Sequence, residues 1–397
     1  MKQLRVGYYV SLAFLLLMGL STGRREYYLI GAALLLLLCY SLALNLWTYF
    51  SFSYVQEISS STVIKGDAPV LKIGIYNEKP FPFTMMRIMV QTPVPSEKVE
   101  LAFNLDPSSN IYYDIPLNCP YRGVYKVGMT TLEICDVFGL LRMRFDLRKL
   151  PYYRQKQLII YPRLVQLPAL PAALLDAKRP GGGAQRITEE GEGFSDTRQY
   201  RYGDPFKRIH RVLSMRKREL FVKRYDAPTE TAAIIALDTA VERYSGEALL
   251  QYADIASECA TAIAHYCLRG GFVVEVCGSD DLPPPTEGKS GADFSALYDH
   301  LAIMPFESKG DICDMIEREC HRHPNLKAVY VITPHGSIRL AEVLSRLAGD
   351  GCSVKCITPV VEKSVRSEVR SAQFASGITS AIISGCDEIP VILSEIA

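Results

Sequence analysis

The chain is 397 residues long, 48% hydrophobic and 22% charged, and its length allows two or three domains of globular composition with an apolar excess. Its 44 Lys or Arg offset 43 Asp or Glu, so the formal net charge of +1 excludes a chain that is basic along its whole length.

The apolar excess sits at the front. "LRVGYYVSLAFLLLMGL" (Leu4 to Leu20) and "YYLIGAALLLLLCYSLALNLWTYF" (Tyr27 to Phe50) are separated only by residues 21–26. A helix needs roughly 17 to 25 apolar residues to span a bilayer, so the first run is just long enough and the second comfortably so. Tyr27, Tyr28, Trp47, Tyr49 and Phe50 at the ends of the second run match interfacial aromatic belts. A cleaved signal peptide is the competing reading of the first run, because Lys2 and Arg5 make a basic start and "MGLSTG" offers small residues. Either reading leaves an anchor in the lipid bilayer. The short connector makes residues 1–54 a helical hairpin, with the N-terminus and everything after residue 50 on one side. Lys2 and Arg5 compete with Arg24 and Arg25, and the positive-inside rule leans towards a cytoplasmic N-terminus. Ten of the eleven cysteines lie outside these runs with no disulfide-framework spacing, which suits a reduced, cytoplasmic body.

Residues 55–167 read as strands. "PVLKIGIYN" alternates with period two, "KPFPFTMMRIMVQTPVP" follows after a turn, and "YRGVYKVGMTTLEICDVFGLLRMRFDL" gives two more strands. Short strands with turn signals and no helical period predict an all-β, immunoglobulin-like sandwich. The next stretch, 168–230, opens with a loop around Pro180 and Gly181 to Gly183, which lacks the Lys-Ser/Thr of a phosphate-cradling loop. Residues 231–397 change period. "TAAIIALD", "FVVEVC", "LKAVYVIT", "SVKCIT" and "PVILSEI" read as strands, alternating with helices over residues 247–268, 311–321 and 337–347. Strands buried on both faces between helices predict an α/β doubly wound sheet, so the expected fold class is multidomain. Ligand crevices in such sheets lie at the carboxyl ends of the strands, which selects Asp238 and Thr333.

Charge is concentrated in "RQYRYGDPFKRIHRVLSMRKRELFVKR", residues 198–224, with ten Lys or Arg against two acids. Asp204 before Pro205 reads as an N-cap followed by proline at the first helical position, so a helix is expected over "PFKRIHRV". "ELFVKRY" is expected to be a strand leading into the parallel sheet. The Arg, Tyr and Asp groups can form a structural hydrogen-bonded knot, or the cations can face an acidic partner or anionic lipid. Nucleic acid is not expected, since no aromatics are interleaved as stacking platforms.

This segment resembles the signature of the domain of unknown function 58 family, in which Arg-x-Tyr is followed by Gly-Asp, an Arg-Ile-His element, Ser-Ala-Arg/Lys and a strand. Arg198, Tyr200, Gly203, Asp204, Arg208, Ile209, His210, Ser214, Arg216, Leu220, Val222 and Lys223 match; Arg211, Val212 and Met215 stand where Trp, Lys and Ala are usual. The resemblance implies a von Willebrand factor A-like domain at the C-terminal end. It also implies company with a MoxR-type AAA+ ATPase and a transglutaminase-like membrane protein in assembly or maturation of other proteins.

Von Willebrand A domains commonly hold a metal through Asp-x-Ser-x-Ser and a later Asp. Here Asp238 is present, but Ala240 and Glu242 replace the serines, and Pro334 and His335 replace the later motif, so no metal or other cofactor is expected. Cys313, Cys320, His321, His323, Cys352 and Cys356 lack zinc-ribbon spacing, and a helix burying Cys313 and Cys320 is the simpler reading. No catalytic motif is found. The expectation is a membrane-anchored non-enzymatic scaffold, with a metal-dependent adhesion module outside the cell or an envelope enzyme as alternatives.

Overall fold

The computed structural model describes residues 2–94, 97–136, 138–150, 153–167, 194–200, 209–217, 219–225, 233–241, 244–280, 283–307, 309–334, 336–361 and 378–395. They divide into two units, Met1–Tyr161 and Pro162–Ala397.

In the first unit the two apolar runs become helices α1 (Lys2–Thr22) and α2 (Arg25–Ser51), both long and apolar enough to cross a membrane by length and composition. Gly23 makes the reversal between them. It sits at φ +66, where a side chain would be strained, and its N–H closes α1 on the Gly19 carbonyl at 2.9 Å. The helices pack side by side, with the Tyr28 ring against Gly19 and Gly31 buried beneath Leu16.

The strands that follow make two sheets. β1 (Ser53–Ile58), β3 (Val70–Asn77) and β6 (Ser109–Pro116) are antiparallel in the order β1-β3-β6. The second runs β2 (Thr62–Ile64), β9 (Lys156–Tyr161), β7 (Gly123–Cys135), β4 (Phe83–Gln91) and β5 (Lys98–Leu105), with β8 (Arg142–Asp146) also on β7 and only the β2–β9 pair parallel. Alternate residues Leu71, Ile73 and Ile75 of one sheet share a buried cluster with Ile88, Met129, Leu132 and Leu158 of the other. The unit ends at Tyr161 rather than at 167. Val165 and Leu167 pack instead on the core of the second unit, and that burial moves the boundary.

The second unit is a six-stranded sheet in the order β14-β13-β12-β15-β16-β17, formed by β12 (Ala233–Leu237), β13 (Val274–Gly278), β14 (Thr286–Gly288), β15 (Ala328–Ile332), β16 (Ser353–Pro359) and β17 (Ile378–Ile383). All neighbours are parallel except β14 on the edge. In β12 all five residues are buried, because each face is covered: Ala233, Ile235 and Leu237 join a core with α4 (Glu247–Arg269), α5 (Phe294–Ile303) and α8 (Ile389–Glu395). Ile234 and Ala236 face α6 (Ile312–Arg322) and α7 (Ile338–Gly349). This is the expected doubly wound arrangement.

The last part of the chain departs from the sequence expectation. "PVILSEI" is helix α8, not a strand: Pro390 falls in its first turn, where the missing N–H breaks no helical bond, and Ile389 and Leu393 turn one face to the core. The edge position goes to β17, "ITSAII", whose backbone pairs with β16.

Candidate functional site

The sheet order reverses between β12 and β15, and their carboxyl ends carry Asp238 and Thr333. The Thr333 hydroxyl donates to Asp238 Oδ2 at 2.8 Å. On the other oxygen, the Ser279 hydroxyl approaches Oδ1 at 3.3 Å and the Ala240 N–H donates at the same distance. Ser279 stands at the end of β13 and is held reciprocally: its N–H donates to Thr239 Oγ1, and the Thr239 N–H donates to Ser279 Oγ, both at 3.0 Å. Beneath them the Tyr252 phenol donates to the Asp238 carbonyl at 2.9 Å. Burial, reinforced by the Asp238 charge, pushes the Tyr252 phenol well above its ordinary range, so it stays a donor.

Asp238, Thr239, Ser279 and Thr333 are each no more than 4% exposed. A hydrated divalent cation needs several oxygen ligands with waters among them. Here both carboxylate oxygens already receive donors from inside the fold, and the set is closed to water. These residues do not fit such an ion.

The signature lies on a separate two-stranded ribbon, β10 (Phe194–Gln199) paired antiparallel with β11 (Phe221–Tyr225), and on the short helix α3 (Arg211–Lys217) between them. Residues 205–208 of the expected helix "PFKRIHRV" lie outside the described residues; among the described ones, Ile209 and His210 are not helical and α3 begins at Arg211. Ile209 forms a β-bridge with Val222, an extended conformation that forces the helix to start after it. His210 then caps the helix, its Nδ1 accepting from the Leu213 N–H at 3.1 Å, while its own N–H donates to the Phe221 carbonyl. Ser214, one turn on, is buried. Its Oγ accepts from the Phe221 N–H at 2.9 Å and so ties α3 to β11. "ELFVKRY" holds the expected strand, β11, ahead of the large sheet in the chain, and β10 takes its hydrogen bonds.

Residues 196–346 match the family model described as "Protein of unknown function DUF58". This stretch, rather less than half of the chain, is similar to that family. It runs from the ribbon through the first four strands of the large sheet in space, β14, β13, β12 and β15, and so contains both the signature and the Asp238 cluster. Among solved structures, the VWA domain of SpRpn10 is similar at 13% identity, with 42% of this chain and 93% of that chain covered and a TM-score of 0.27. The β-glucosidase EmGH1 from Erythrobacter marinus is similar at 10% identity over 28% of this chain and 15% of that one, TM-score 0.18. A GH2 beta-galacturonidase from Eisenbergiella tayi bound to galacturonate is similar at 8% identity over 83% and 55%, TM-score 0.16. No curated protein matches the chain.

Within the matched stretch the structure brings Tyr200, His210 and Ser214 onto one ribbon-and-helix unit, with the Tyr200 N–H on the Leu220 carbonyl at 2.8 Å. Arg198 and Lys223 take their places in β10 and β11, with Lys223 opposite Thr197. Gly203, Asp204 and Arg208 lie outside the described residues, as do Glu242 and His335. Arg216 is exposed in the last turn of α3, beside exposed Lys217 and on the same helix as exposed Arg211. Asp238 and Thr333 do come together. Sequence reasoning missed Ser279 and Tyr252 as their partners; the signal for Ser279 was its place directly after the apolar run "FVVEVCG", the same strand-end position that selected Asp238.

Proposed function

We propose that this protein is a membrane-anchored, non-enzymatic interaction module that docks a partner through the basic face of its DUF58 signature. The observation that carries this reading is the division of labour on α3. Its matching polar side chains, His210 and Ser214, are spent on backbone groups inside the unit, while the cations of the same helix, Arg211, Arg216 and Lys217, are exposed. A cluster of solvated cations on a short rigid element attracts an acidic surface and costs little to hold. The strand order, with one antiparallel edge, supports reading the large sheet as a von Willebrand factor A-like domain. The two sheets over one core support an immunoglobulin-like stalk. Helices α1 and α2 make a two-pass anchor, and eleven free cysteines, most of them buried, favour a cytoplasmic body. By the family resemblance, the partners are a MoxR-type AAA+ ATPase and a transglutaminase-like membrane protein.

The test is a pull-down from detergent-solubilised membranes, comparing wild type with Arg211→Glu/Arg216→Glu/Lys217→Glu. These side chains are exposed, so the variant should keep its thermal midpoint. Loss of an ATPase from the variant's catch supports the docking face; an equal catch from both proteins removes it.

A further inference from the structure

On the far side of the sheet from α4 and α5, four groups of metal-ligand type meet between a strand and a helix. Glu275 and Cys277 are two apart on β13 and therefore share the face turned to α6. Glu319 and His323 are four apart at the end of α6, aligned by the His323 N–H on the Glu319 carbonyl at 3.0 Å. One ligand atom each from Glu275, Cys277 and Glu319 lies within 4.8 Å of the other two, and His323 Nε2 stands 2.7 Å from Glu275 Oε2. Glu275, Cys277 and Glu319 are buried, Cys277 and Glu319 completely.

Two buried acids on one thiol and one imidazole are an expensive arrangement without a compensating cation. Part of the compensation is present. Arg322 Nη1 reaches Glu319 Oε2 at 2.8 Å and Glu275 Oε1 at 4.0 Å. It does not complete the shell: Glu319 Oε1 is buried without a hydrogen bond, with Arg318 Nε 3.7 Å away. Burial, opposed by His323 and reinforced by Glu319, pushes the Glu275 carboxyl up, and burial pushes the Cys277 thiol well up.

We propose that Glu275, Cys277, Glu319 and His323 form a closed, structural zinc site that fastens α6 to β13. One thiolate, one imidazole and two carboxylates are a tetrahedral set of the hardness Zn²⁺ accepts. Ligand atoms around a tetrahedral ion lie about 1.6 times the coordination distance apart, about 3.3 to 3.8 Å, so rotamer changes that draw in the 4.8 Å span and open the 2.7 Å His323–Glu275 contact would close the shell. On binding, the Cys277 sulfur gives up its proton to solvent as the zinc–sulfur bond forms. His323 binds as neutral imidazole, and the two carboxylates bind as anions. The second acidic cluster of the unit, Asp254, Glu258 and Cys386, offers only three such groups, and Arg163 already holds Glu258 at 3.2 Å.

The experiment uses the full chain in mild detergent, stripped with chelator and titrated with Co²⁺ as a coloured substitute. One equivalent should raise tetrahedral ligand-field bands together with a thiolate-to-cobalt charge-transfer band, and Zn²⁺ should bleach both while raising the melting temperature. Mg²⁺ should do neither. Cys277→Ser should lose the charge-transfer band, and Glu319→Gln should weaken Co²⁺ binding at least tenfold. Failure of the wild-type chain to develop a charge-transfer band overturns the proposal without recourse to any variant. Survival of that band in Cys277→Ser overturns it equally.

Discussion

The imidazole of His300 shows how a single buried side chain sets a pH limit. It lies on α5, 6% exposed, with Nδ1 3.0 Å from the Thr286 hydroxyl on edge strand β14 and no hydrogen bond at Nε2. Burial disfavours the charged ring and holds its pKa below the ordinary 6.5. The folded state therefore binds this proton less readily than the unfolded chain. Its contribution to stability is complete above 6.5 and is lost as pH falls towards the depressed folded value. The melting temperature of wild type should drop between pH 7.5 and 5.5, and His300→Gln, which can keep the bond to Thr286, should drop less. Parallel pH profiles for the two proteins would refute this. His265, also held low by burial and by Arg269, keeps its share in both.

At the scale of elements, the helices and buried strands were legible wherever periodicity and length agreed. The strands within "TAAIIALD" and "LKAVYVIT" are buried at every position because both faces are covered, and a short apolar run of that kind between two helical stretches fits a central strand of a parallel sheet. "PVILSEI", expected as a strand, is a helix, and "ITSAII", given no element from the sequence, takes the edge strand, because six or seven apolar-rich residues fit a strand or a helix equally. The proline and the tertiary packing decide between them, and only the second is invisible in sequence. The Asp238 crevice was found from a strand end; its closure by Ser279 was not, since that bond joins residues 41 apart in the chain. In the signature the expected start at Pro205 lies outside the described residues, and the extended Ile209 was not legible because its bridge to Val222 joins residues distant in sequence.

Strand β7 carries a sharp prediction at the same scale. Gly128 lies inside it at φ +125, and a Cβ there would come 2.6 Å from Gln56 Oε1. Gln56 cannot move aside freely: Oε1 accepts from the Met129 N–H at 3.1 Å and Nε2 donates to the Arg154 carbonyl at 2.9 Å. Gly128→Ala should therefore cost about 2 to 4 kcal/mol, from backbone strain together with a broken buried hydrogen bond. Chemical denaturation of the full chain in detergent measures it, and a loss below about 0.5 kcal/mol, the range of a neutral surface change, would contradict the account.

For the whole molecule, whether α1 and α2 cross a membrane bears on where everything else resides. At 1.5 Å per residue α1 is about 31 Å long and α2 about 40 Å, against a hydrocarbon core of about 30 Å. At the carboxyl end of α2, Tyr49 stacks on Phe145 with ring centroids 4.0 Å apart and Trp47 meets Phe81 at 5.4 Å. The start of α1 reaches the same sheets, for Arg5 Nε donates to the Gly139 carbonyl at 2.6 Å. The start of α1 and the end of α2 thus both meet the β-unit. If both helices span, a tag ahead of Lys2 and a tag after Ala397 must share one side. Protease added to sealed vesicles should then digest both tags or spare both. A cysteine at Arg24→Cys should react with an impermeant maleimide only in vesicles of the opposite orientation. Opposite fates for the two tags would mean a single span. Loss of the first tag from the mature protein would mean that α1 is a removed leader, leaving α2 alone as the anchor.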